Sequence, residues 1–167
     1  LLGPHELDAA PAFAAALPAM GPALPGPGRA TQATIRQLPK GVPWYAAARG
    51  SYGDAALVRA VADGCRFAAE PARRLVSAAL GTVVTHAHPA AVAPAMTVAE
   101  AIARIVVDPG VVEDRVAFID ALADLGDPNL GSSLRRDVGG RRLARGSRAR
   151  GSSAADALVG ALSAFFA

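Results

Sequence analysis

The chain has 167 residues, 52% of them hydrophobic, a formal net charge of +3 and a single cysteine. That length supports one substantial core and leaves no room for a second full domain, and one cysteine excludes an intrachain disulfide framework. The basic balance, with a pI near 9.7, is concentrated between Arg135 and Arg150, so it marks a basic loop and not a basic domain.

Aromatic residues make up only 5% of the chain and alanine dominates. Alanine is the strongest helix former, so the expected fold is all-α. Residues 1–48, rich in Ala, Pro and Gly, read as a loosely ordered lead-in. It holds a short helix from Asp8 to Leu17, a proline-broken stretch from Pro22 to Gly28, a brief helix from Thr31 to Leu38 and a turn from Pro39 to Trp44. The opening LLGPHELDAA has no basic leader and carries Glu6 and Asp8, unlike a secretory signal. No uncharged apolar run reaches the 18 or so residues of a membrane span. A cytoplasmic protein with no membrane partner is the expectation.

Residues 49–125 read as a helical core. Arg49 to Leu57, RGSYGDAAL, is a glycine-containing loop feeding a helix, and Cys65 within that helix is expected to be a small buried residue. From Pro71, the residues Leu75, Val76, Ala79, Leu80 and Val83 recur at helical spacing with Arg73 and Arg74 off the stripe. Thr85 to His88 break the pattern, and Pro89 suits a first helical position. Val92, Met96, Ala99, Ala103 and Val106 mark the next buried face, with Pro94 expected to bend that helix or move its start. Asp108 and Pro109 end it. A further helix from Glu113 to Ala123 has an acidic first turn that suits the helix dipole. Residues 126–151 are expected to be a Gly- and Arg-rich loop. Ser153 and Asp156 resemble a capping box for a last helix with Leu158, Ala161, Leu162 and Phe165 facing inwards. The chain starts without methionine and stops inside that helix at 152–167, so residues 1–167 are expected to form a single domain that is the interior of a longer one.

His86 and His88, in THAHP, admit three chemistries. An H-x-H pair can ligate a metal, but that needs further ligands, and no histidine follows His88 while His5 lies in the lead-in. The pair can simply cap and link two helices. Or the helix start near Pro89 can hold an anion, with a histidine donating beside it. The loop of Gly50, Ser51, Tyr52 and Gly53 is a second phosphate-friendly element, because glycines let backbone amides approach phosphate oxygens and Ser51 adds a hydroxyl.

The order of these two elements, GSYGD then AALVR then THAHP, resembles the ADP-ribosylglycohydrolases. GPGRATQATIRQLPKGVPW before the loop and GSRARGSSAADALVGALSAFF after the core agree with that family more loosely. The resemblance implies an all-α enzyme that uses two magnesium ions to hydrolyse the glycosidic bond joining ADP-ribose to an acceptor, with ADP-ribose or an ADP-ribosylated protein as partner. It further implies that Gly50, Ser51, Tyr52, Gly53 and Asp54 form the ligand loop, that His86 touches the same ligand, and that His88 and Pro89 shape the start of the helix.

Two departures accompany the resemblance. The family's Asp-rich metal motifs are not found here, so no residue of this chain is assigned to metal or to catalysis; Asp124 and Asp127 read as a helix end and a turn. Asp54 and Ala55 stand where the family usually has Asn and Gly, and a carboxylate beside a diphosphate repels it unless a cation such as Arg59 intervenes. The chain is then either part of an active enzyme or a non-catalytic ADP-ribose-binding or inactive relative. From another class comes nucleic-acid binding by the seven arginines between Arg135 and Ser153. No aromatic residues are interleaved there for base stacking and Asp137 interrupts the run, which favours a solvated loop over a nucleic-acid partner.

Overall fold

The computed structural model describes residues 9–24, 26–48, 50–125, 127–139 and 153–167. These form an all-α fold of nine α-helices: α1 Ala9–Met20, α2 Arg29–Gln37, α3 Trp44–Ala47, α4 Ala55–Arg66, α5 Pro71–Val83, α6 Pro89–Val107, α7 Arg115–Ala123, α8 Pro128–Leu134 and α9 Ala154–Phe165. Short 3-10 turns occupy Gly21–Ala23, Leu38–Lys40 and Pro109–Val112, and a π-helical turn follows α8 over Arg135–Gly139.

Local chemistry sets the helix starts. Pro89 and Pro128 sit at the first turn of α6 and α8, where no amide is needed. The side chains of His88, Asp114, Asp127 and Ser153 accept from the first amides of α6, α7, α8 and α9. Pro94 lies fully buried inside α6 without ending it. The 19-residue α6 is long and apolar enough to cross a membrane by length and composition. Here it is the central helix, with α4, α5 and α9 packed around it.

Packing falls into three clusters. Ala56, Ala60, Ala78, Ala95 and Ala99 form a small-residue seam between α4, α5 and α6. A methyl added at Gly64 would lie 2.6 Å from the Ala99 carbonyl and 2.7 Å from Ile102 Cβ, so glycine permits that approach. Large side chains carry the second cluster, where Phe118, Ile119 and Leu122 of α7 meet Leu134 of α8 and Leu158 of α9. Each such fully buried side chain contributes about 1.5–3 kcal/mol. In the third, Ala10, Ala14 and Leu17 of α1 bury against Val84, flanked by Phe13, Ile35 and Trp44.

Several expectations are corrected. The lead-in is not loose where it is described: α1, α2 and α3 form, and Leu17 is buried. The stretch read as a loop after residue 126 carries α8 and the π-helical turn, because Asp127 and Pro128 start a helix that Leu130, Leu134 and Val138 bury; residues 140–152 lie outside the described ones. The buried face of α5 is displaced from the predicted stripe to Arg74, Ala78 and Thr82. Arg74 is drawn in because its guanidinium donates to Glu100 of α6 and to the carbonyls of Phe67 and Ala68. Val106, Ala161 and Phe165 are exposed, not buried. Cys65 is exposed as well, since the buried side of α4 runs through Ala56, Ala60 and Gly64.

Candidate functional site

Three helix N-termini meet around the loop at Gly50–Asp54. Asp54 is the N-cap residue of α4, though its side chain makes no capping bond. The loop's Tyr52 ring stands edge-on to His88, the N-cap residue of α6, with centroids 5.8 Å apart. Gly53 forms an isolated antiparallel bridge with Ser153, the N-cap residue of α9, and the Ala154 amide donates to the Tyr52 carbonyl at 2.8 Å. Each helix start carries a partial positive charge that favours an anion at this end of the bundle, although the first amides of α6 and the Ala154 and Asp156 amides of α9 are already paired and the Asp54 and Asp156 carboxylates oppose it.

His86 and His88 separate into different roles. His88 is exposed and its Nδ1 accepts from the Ala90 amide at 3.1 Å, the ordinary behaviour of a cap. His86 is 3% exposed, and its Nε2 faces Gly53, where an added methyl would stand 3.4 Å away. Burial first, and then the Arg59 charge, push its pKa down from 6.5 to about 4, with Asp54 opposing them. At neutral pH it is therefore an uncharged imidazole.

The remaining loop residues surround this point. The Ser51 hydroxyl accepts from the Gly53 amide at 3.4 Å. Gly50 and Asp54 are exposed, and Tyr52 is 54% exposed, leaving its ring open to solvent. Arg59 does not reach Asp54 as expected. It donates instead to the carbonyls of Ala55 and Gly81 and, at 2.6 Å, to Thr85 Oγ1, because α4 turns it inwards over the Phe13 ring. On the other side of the motif, Ala87, Pro89 and Val92 face Leu125, Asp127 and Pro128 across an open groove of about 480 Å³.

The structure thus brings Ser51, Tyr52, Gly53 and His86 together and joins Ser153, Ala154, Thr85 and Arg59 to them. The capping signal at Ser153 was readable, but nothing in the sequence places it beside Gly53, a hundred residues earlier.

Among the described residues no group of three His, Cys, Asp or Glu side chains is placed to hold a metal ion. Most of the described carboxylates are engaged apart from one another. Asp108, Asp114 and Asp127 accept from backbone amides, Asp63 accepts from Ser77, and Asp120 and Asp124 share Arg135. This donor set does not fit a two-magnesium centre. His5, the chain's remaining histidine, lies outside the described residues.

No curated protein and no solved structure matches the chain. The family model described as ADP-ribosylglycohydrolase matches residues 3–167, nearly the whole length. With its GSYGD loop and its THAHP segment folded against each other in an all-α frame, the chain belongs to the ADP-ribosylglycohydrolase family.

Proposed function

We propose that this chain supplies the ADP-ribose-recognising part of an ADP-ribosylglycohydrolase. The observation that carries this reading is the convergence of three helix N-termini on the Gly50–Asp54 loop, with His86 behind it. Backbone amides and helix dipoles suit a diphosphate, the Ser51 hydroxyl adds an adaptable partner, and the exposed Tyr52 ring offers an apolar face to a ribose or base. Asp54 opposes a phosphate placed next to it, which directs the diphosphate towards Ser51 and Gly53.

Hydrolysis of the glycosidic bond is the activity proposed for the enzyme to which this chain contributes. Because the described carboxylates do not fit a magnesium pair, no catalytic step is assigned to them. The same fact favours a second reading, a non-catalytic ADP-ribose binder built on the same loop. Calorimetric titration of ADP-ribose, with magnesium and with EDTA, tests the site under both readings. Saturable binding weakened about threefold to tenfold by Ser51→Ala and by His86→Ala is the expected result, one lost hydrogen bond in each case. Wild-type affinity in both variants would remove the site assignment. Release of ADP-ribose from an ADP-ribosylated protein separates enzyme from binder.

A further inference from the structure

Arg59 sits in an arrangement that stability alone does not account for. Among the described residues its half-buried guanidinium donates to two carbonyls and a hydroxyl but to no carboxylate, and its buried Nε has no hydrogen-bond partner. Burial lowers its pKa, with Asp63 opposing. Partial burial of a cation without a described carboxylate partner is costly, and a leucine at the same position would pack with less desolvation. What the guanidinium does hold is the hydroxyl of Thr85, fully buried, at 2.6 Å, and that same oxygen lies 2.8 Å from His86 Nδ1.

Among the described residues, one proton arrangement along this chain gives the fully buried Thr85 hydroxyl both a donor and an acceptor. Guanidinium nitrogens only donate, so Thr85 Oγ1 accepts from Arg59. The hydroxyl proton then needs an acceptor, and among the described residues the one group within hydrogen-bonding distance other than Arg59 is His86 Nδ1. An uncharged imidazole that accepts at Nδ1 carries its proton at Nε2. Nε2 is the nitrogen that faces Gly53. We infer that Arg59, acting through Thr85, is a positioning residue that fixes His86 as the Nε2–H tautomer, so that His86 presents a hydrogen-bond donor to the ligand at the Gly50–Asp54 loop. His86 then neither abstracts a proton nor ligates a metal through Nε2. Only the identity of what this donor meets rests on the ADP-ribose reading; the tautomer does not.

The test is long-range proton–nitrogen NMR of the imidazoles in the 167-residue chain at neutral pH, with His86 assigned by the loss of its signals in His86→Gln. The expected spectrum has His86 Nδ1 unprotonated and Nε2 protonated. A protonated Nδ1, or equal population of both forms, overturns the inference in the wild-type protein without any variant. Thr85→Val keeps the side chain's shape and removes the hydroxyl; it is expected to release the tautomer into a mixture, and Thr85→Ser to restore it. Arg59→Met is expected to let Thr85 accept from Nδ1–H, so that this second tautomer appears. An unchanged His86 spectrum in Thr85→Val or Arg59→Met shows that the relay does not set the proton. ADP-ribose is then added: the expected result is a shift of the Nε2–H signal and affinity about threefold to tenfold weaker in Thr85→Val. Binding that leaves Nε2–H unmoved overturns the donor role. Absence of ADP-ribose binding with the tautomer intact overturns the ligand reading and leaves the Arg59 relay standing.

Discussion

His86 links the site to pH. Its folded pKa of about 4 lies below the ordinary 6.5, so folding favours the neutral ring. The resulting stability is fully present above pH 6.5 and is lost as the pH falls towards 4, because in that window the unfolded chain takes up a proton that the folded one refuses. The slope is at most about 1.4 kcal/mol per pH unit. Urea denaturation of wild type and His86→Gln at pH 7, 5.5 and 4.5 checks it. The wild-type protein is expected to lose stability more steeply on acidification than the variant, and parallel profiles would contradict the buried neutral histidine. The same reasoning predicts ADP-ribose affinity that is flat between pH 5.5 and 8, since His86 stays uncharged throughout.

The close approach of α4 to α6 makes a prediction that runs against helix propensity. Gly64→Ala lies in a helix interior, where alanine is ordinarily better by about 1 kcal/mol. Its methyl would meet the Ala99 carbonyl at 2.6 Å, backbone that cannot rotate away, and overpacking of this kind costs about 1–3 kcal/mol. A net loss of stability in urea is expected; a gain would show that the helices separate easily. Between α5 and α6, Arg74 and Arg104 share Glu100, whose side chain is 9% exposed. Glu100→Gln leaves Arg74 buried beside a neutral amide, and a loss of about 3–5 kcal/mol is expected in the same assay. These two interfaces also show what the sequence could and could not reveal. Helix existence and many starts were legible from Asp, Ser, His and Pro at the caps, and the GSYGD and THAHP segments were legible as the stretches that lead into α4 and α6. The face of α5 was not, because a periodicity of apolar residues cannot anticipate that Arg74 finds a carboxylate 26 positions away. Helix α8 and the π-helical turn after it were obscured by Gly and Arg that read as loop, although Leu130, Leu134 and Val138 kept a buried face. The pairings of Ser153 with Gly53 and of Thr85 with Arg59 depended on which elements meet, and local pattern carries no such information.

Across the molecule, the polar end where α4, α6 and α9 begin carries amides, hydroxyls, a neutral imidazole and the carboxylates of Asp54 and Asp156, and among the described residues no three His, Cys, Asp or Glu side chains are placed to hold a metal ion. A ligand held by such groups gains its affinity from preorganised dipoles and not from a bridging cation. Binding to the folded state stabilises it by about 2.7 kcal/mol at a ligand concentration a hundredfold above Kd. For a chain of this size that corresponds to a rise in Tm of roughly 5–11 °C. The rise produced by ADP-ribose is expected to be the same in EDTA as in millimolar magnesium, and magnesium alone is expected to leave Tm unchanged, both read by differential scanning calorimetry. A shift that appears only with magnesium would require a carboxylate to join the diphosphate through the ion. Asp54, exposed at the head of α4 with no capping bond of its own, is the first residue that result would implicate. In that event Asp54→Asn would abolish the magnesium-dependent shift, whereas under the cation-free reading the same substitution removes a repulsion and raises Tm with ADP-ribose in either buffer.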